Sequence, residues 1–128
     1  MKPIEQLTEE VIGLAMKVHR TLGPGFLESV YQKALTLELA RAGCSVESEK
    51  PLKVVYEGTV VGDFAADLMV DDRLIVELKA VQALTVAHEV QTVNYLAATG
   101  IDDALLLNFG ASSLQFKRKR RLAKPQSG

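Results

Sequence analysis

The chain has one cysteine in 128 residues, so no internal disulfide can brace it. Cys44 also has no second Cys, and no His, at a ligand spacing, which argues against structural zinc. A buried or half-buried thiol is its expected state. No apolar run approaches the roughly 20 residues that a bilayer span requires. The opening residues Met1-Lys2-Pro3-Ile4-Glu5 lack the basic-then-apolar order of a secretory signal. The expectation is a cytoplasmic protein with no membrane partner. No internal repeat is present, which excludes solenoids and arrays. What remains is an ordinary apolar core, and a composition of 48 % hydrophobic and 24 % charged residues can build one. At 128 residues there is room for a single core.

The formal net charge of −1 conceals a division. Six of the 15 basic residues, Lys117, Arg118, Lys119, Arg120, Arg121 and Lys124, fall in the last dozen positions without an acid among them. The other nine face all 16 acids, so residues 1–116 carry −7 and the end +6. The expected organisation is one domain over 1–116 and a basic tail over 117–128. Such a tail attracts phosphate, and equally serves as a solubilising end.

Leu7, Val11, Leu14, Ala15, Val18 and Leu22 follow the spacing of an amphipathic helix, with Thr8 as a candidate N-cap. Gly23-Pro24-Gly25 must end it. A second helix is expected from Phe26 to Ala42, with Leu27, Val30, Tyr31, Ala34 and Leu35 on one side and Gly43 closing it. From Cys44 to Val81 the pattern becomes β-branched and alternating, interrupted by turn chemistry at Lys50-Pro51, Glu57-Gly58 and Asp71-Asp72. Strands are predicted near 44–49, 52–56, 59–70 and 73–80. Leu74, Ile75, Val76 and Leu78 read as a central strand covered on both faces. Thr85 can cap a third helix reaching Thr99, apolar at Val86, Val90, Val93, Leu96 and Ala97 and closed by Gly100. Ala104-Leu105-Leu106-Leu107 reads as another buried strand, and Leu114-Gln115-Phe116 as a short edge strand.

A charged pair inside the central strand requires an explanation. Glu77 and Lys79 leave the same face, and burying them is costly unless they are paired or bound. Folding back at Asp71-Asp72 can set Asp67 beside Glu77. Two carboxylates could then hold Mg²⁺ or Mn²⁺, and Lys79 could orient a water or stabilise phosphoryl charge. The competing reading is a structural ion pair. Glu28, in the first turn of the second helix, is a further acid at a position that the helix dipole favours anyway. Tyr31 shares its face, as a substrate contact or a core residue. His88, Gln91 and Tyr95 form one polar stripe on the third helix, which either reaches the rim of a site or faces water. His19 has the position of a helix-terminal histidine.

Gly25-Phe26-Leu27-Glu28-Ser29-Val30-Tyr31 reads G-x-x-E-x-x-Y and resembles the signature of the GxxExxY proteins of the PD-(D/E)XK nuclease superfamily. Ala66-Asp67-Leu68, Val76-Glu77-Leu78-Lys79-Ala80-Val81, Gln91-x-x-x-Tyr95-Leu96 and Leu107-Asn108-Phe109-Gly110 resemble its later blocks, in the same order. The resemblance implies an α/β fold with a restriction-endonuclease-like core: an N-terminal helical hairpin, then a mixed central sheet flanked by helices. It implies a catalytic set of Asp67, Glu77, Lys79 and Glu28, with Asp67 and Glu77 on a Mg²⁺ or Mn²⁺ ion and Glu28 on the same ion, through water. Gln91 and Tyr95 match the Q-x-x-x-Y block of RecB-type nucleases and, with His88 and Tyr31, are the expected substrate contacts. Ala66 departs from the superfamily's proline, at a position that supplies no ligand atom. The implied activity is metal-dependent phosphodiester hydrolysis on DNA or RNA, with a homodimer as a candidate arrangement. The alternative is a nuclease fold kept as a non-catalytic binding or assembly module.

Overall fold

A computed structural model describes residues 1–121. The elements run α1 (Ile4–Leu22), α2 (Glu28–Arg41), β1 (Val46–Tyr56), β2 (Thr59–Val70), β3 (Leu74–Lys79), α3 (Val86–Thr99), β4 (Asp103–Asn108) and β5 (Gln115–Arg120). The five strands form one sheet in sequence order. β3 and β4 are parallel and every other neighbouring pair is antiparallel.

The parallel pair dictates the layering. A parallel connection needs a crossover, and α3 provides it on one face of the sheet. Strand alternation sends Leu74, Val76 and Leu78 of β3 and Leu105 and Leu107 of β4 to the other face, where they pack with Leu7, Val11, Tyr31 and Leu35 of the helical hairpin. Ile75 and Ala104 point to the α3 side and meet Leu96 and Met69. The expected mixed sheet flanked by helices is what forms, a restriction-endonuclease-like α/β fold.

Several local expectations are corrected. α1 starts at Ile4, and Thr8 is not its cap: its hydroxyl donates to the Ile4 carbonyl one turn back. α2 starts at Glu28, which leaves Leu27 exposed outside the helix. Lys50-Pro51 is not a turn, so the strands predicted at 44–49 and 52–56 are one strand. β1 is an edge strand, where a residue without an N–H is tolerated; Glu49 is left-handed at φ +53°, and the register with β2 shifts between Val54 and Val55. On α3 the predicted apolar face is only partly used. Leu96 is buried, but Val86 and Val90 are exposed and Thr92 takes an inward position. Thr85 caps this helix as expected and Gly100 closes it at φ +73°. The basic run is not a tail throughout: Lys117–Arg120 belong to β5, while Lys124 lies outside the described residues.

No helix among the described residues is long and apolar enough to cross a membrane. Cys44 is half-buried, as expected, and burial pushes its thiol above the ordinary range.

Candidate active site

β3 delivers Glu77 into the layer between the sheet and α3, on the face that Ile75 also uses, and leaves it only 6 % exposed. Asp67 reaches it because β2 parts from β3 at this level. Their register ends at Leu68↔Val76, one step before Asp67 would stand opposite Glu77. In place of the next ladder bond, the Leu78 N–H donates to Asp67 Oδ2 at 2.8 Å. On its other side β2 passes from the Ser48↔Leu68 pair to Lys50↔Ala66, with the left-handed Glu49 between. The Gln32 side-chain amide, from α2, donates to the Glu49 carboxylate at 3.0 Å and to the Asp67 carbonyl at 3.1 Å. Asp67 is thus held from both flanks where the sheet opens.

The electrostatics follow from that crowding. Burial, then the charge of Asp67, raise the Glu77 carboxyl from 4.5 to about 9, against a weaker opposing pull from Lys79. Glu77 Oε1 is buried with no hydrogen-bond partner among the described residues. Lys79 shares the face, half-buried, and makes no ion pair within 4.0 Å among the described residues. The structural ion pair that competed with a functional site does not form.

An orphaned, buried carboxylate oxygen beside a second carboxylate lacks positive charge, and oxygen donors of this kind suit a hard divalent cation such as Mg²⁺ or Mn²⁺. The residues fit such an ion. The set is a pair, since among the described residues no three His, Cys, Asp or Glu gather closely enough to hold a metal. Mg²⁺ is commonly bound through one or two carboxylates and several waters. Glu28 is exposed in the first turn of α2 and does not join the two acids in one close group.

The other expected residues divide. Tyr95 stands at the site: burial first, then the charges of Glu77 and Asp67, raise its hydroxyl above the usual range. Gln91 is exposed one turn earlier and lines the adjoining cleft with Tyr95. His88 is engaged elsewhere. Its Nδ1 accepts from the Thr85 N–H at 3.1 Å and completes the N-terminal cap of α3. Tyr31 is a correction, because it is fully buried and cannot touch substrate. Its hydroxyl donates to the Gly23 carbonyl at 2.6 Å and accepts from the Phe26 N–H at 3.1 Å, and its ring stacks on Phe109 at 4.7 Å. With Gly25 at φ +113°, the G-x-x-E-x-x-Y heptad is a tied loop that sets Glu28 at the head of α2. His19 is buried at the end of α1, its Nε2 2.9 Å from the Ala111 carbonyl.

Three supporting residues were not legible as such. Gln32 carries no pattern beyond a polar position on a helix. Asn108 is wholly buried and saturates its amide: Oδ1 accepts from Val81 and Gly110 N–H, and Nδ2 donates to the Val81 carbonyl and to Gln115 Oε1. It clamps the chain just beyond Lys79. Gly110 lies against Ala80 and Val81 so closely that a Cβ would fall 2.4 Å from Val81 backbone atoms. The basic end is also less available than its charge suggested. Lys119 pairs with Glu89 at 2.6 Å, Arg120 with Asp103 at 3.3 Å and Arg121 with Asp102 at 2.8 Å.

Fold and site together define a restriction-endonuclease-like domain whose paired acids and lysine sit where two strands diverge. The chain belongs to the PD-(D/E)XK nuclease superfamily, whose family profile matches residues 5–121. Its fold is similar to that in "Crystal structure of SSO0001", with a TM-score of 0.59 and 15 % identity over 75 % of this chain and 50 % of that one. The chain therefore spans half the length of that solved structure, and at this identity the likeness concerns the fold alone. No match emerges among curated proteins.

Proposed function

We propose that this chain is a divalent-metal-dependent nuclease of the GxxExxY group, hydrolysing phosphodiester bonds in DNA or RNA. The observation that carries the reading is the buried, partnerless Oε1 of Glu77 beside Asp67, in a superfamily of nucleases. Asp67 and Glu77 would hold Mg²⁺ or Mn²⁺, with Glu28 reaching the ion through water. A bound ion would supply Lewis-acid polarisation of the phosphate and a lowered water pKa. Asp67 stays fixed during the reaction because one oxygen remains committed to Leu78. Lys79, which has no ion pair among the described residues, orients the attacking water or stabilises charge on the phosphoryl oxygens. Tyr95 and Gln91 hold the adjoining stretch of substrate.

The test is cleavage of single- and double-stranded DNA and RNA with Mg²⁺ or Mn²⁺. Glu77→Ala and Lys79→Ala should each abolish cleavage in a chain that still folds by circular dichroism. Cleavage that persists in both refutes the assignment. Mn²⁺ binding without turnover on any substrate would instead make the chain a non-catalytic binding module.

A further inference from the structure

A cleft of about 630 Å³ opens between the outer part of the β1–β2 hairpin and α3. That volume lies in the range of ligand-binding clefts. Its floor is Leu52, its walls include the rings of Phe64 and Tyr95, and Gln91 and Asn94 of α3 bring their amides to it. Among the described residues that line it Lys53 is the one charged residue, and strand alternation turns its side chain to the face opposite Leu52 and Phe64. The cleft and Glu77 lie on the same side of the sheet, facing α3, where Tyr95 lines the cleft and packs on the cluster that holds Leu52 and Ile75.

Phe64 is 46 % exposed although it faces the cleft from a strand that could have buried it. Its ring reclines over Gly62, where a Cβ would come within 2.7 Å of the ring edge. The ring centroids of Phe64 and Tyr95 are 5.9 Å apart and the planes are tilted by 45°, so the two rings do not stack face to face and leave the exposed face of Phe64 to a third flat group. Flat faces and two amides able to pair with a base edge, with no acid lining the cleft among the described residues, are the chemistry that receives a nucleobase. A base inside a duplex has both faces covered by its neighbours, whereas an unpaired base presents one.

We infer that this cleft receives an unstacked base next to the scissile phosphate, with Phe64 as its stacking platform, and that the substrate is single-stranded nucleic acid. The inference rests on the nuclease reading for the phosphate's position, but binding tests it separately. Fluorescence anisotropy with labelled oligo-dT, oligo-rU and a matched duplex, in EDTA to prevent turnover, should show tighter binding of the single strands. Phe64→Ala and Phe64→Leu should weaken single-strand binding about ten- to a hundredfold, Phe64→Trp should restore it, and duplex binding should not change. Titration with Mn²⁺ should be the same in Phe64→Leu as in the unmodified chain. Single-strand affinity unchanged in Phe64→Leu, or a preference for duplex, overturns the inference while leaving the nuclease reading intact. Phe64-dependent single-strand binding without cleavage leaves the inference standing and removes the nuclease reading.

Discussion

Asp67 and Leu78 are joined across diverging strands: the carboxylate of one accepts the backbone N–H of the other at 2.8 Å, where a ladder bond would have been. One acid therefore does two things, closing the sheet with one oxygen and facing Glu77 with its charge. The two roles can be separated by substitution.

Asp67→Asn keeps an oxygen for the Leu78 N–H and removes the charge. Its urea midpoint should correspond to a stability within about 1 kcal/mol of the unmodified chain, whereas Asp67→Ala strands a part-buried donor and costs about 1–3 kcal/mol. Both should lose Mn²⁺ binding in calorimetry. Equal stability of the two variants would show that the Leu78 bond contributes nothing.

The raised Glu77 carboxyl makes a pH prediction. With an ordinary value of 4.5 when unfolded and about 9 when folded, the folded chain holds the extra proton across that interval. Glu77 therefore costs stability as pH rises from 4.5 towards 9, with a limiting slope of about 1.4 kcal/mol per pH unit. Glu77→Gln should flatten the slope in denaturant titrations between pH 6 and 9. Cation binding must expel the same proton, so Mn²⁺ titrations at pH 7 should release about one proton per ion and give heats that vary with the buffer's ionisation enthalpy. Heats that are the same in every buffer would contradict this.

Two glycines give opposite outcomes. A Cβ on Gly110 would meet Val81 N and O at 2.4 Å and Ala80 C at 2.6 Å, all backbone atoms fixed by the Asn108 clamp. Gly110→Ala should cost about 2–3 kcal/mol. Gly13 lies exposed within α1 with nothing within 4 Å of such a Cβ, so Gly13→Ala should stabilise by about 0.5–1 kcal/mol. Thermal melts of both variants check the pair.

What the sequence disclosed, and what it withheld, follows from the range of the interactions involved. Helix ends written in local chemistry, Gly23 for α1 and the Thr85 and Gly100 caps of α3, stand where they were expected. Asp67 and Glu77 could be paired in advance because one tight turn links their strands. Tyr31 was ambiguous because its partners, Gly23, Phe26 and Phe109, include one 78 positions away in a strand's wake. Periodicity on α3 predicted an apolar face, but the layer it meets contains Glu77, and Thr92 and Tyr95 turned inward in place of Val86 and Val90. The clamp at Asn108 and the tether at Gln32 depend on tertiary proximity that no local pattern encodes.

β5 has a consequence for how copies of this chain meet. Among the described residues its outer margin has no pairing strand, and such an edge invites a neighbouring strand to add to the sheet. Lys117, Arg118, Lys119 and Arg120 follow one another along it, and although Lys119 and Arg120 are paired with Glu89 and Asp103, two such margins brought side by side would oppose the cations of Lys117 and Arg118. Cations that read as an affinity for polyanions thus also disfavour the pairing of one β5 margin with another, while the β1 margin at the far side of the sheet carries no such run.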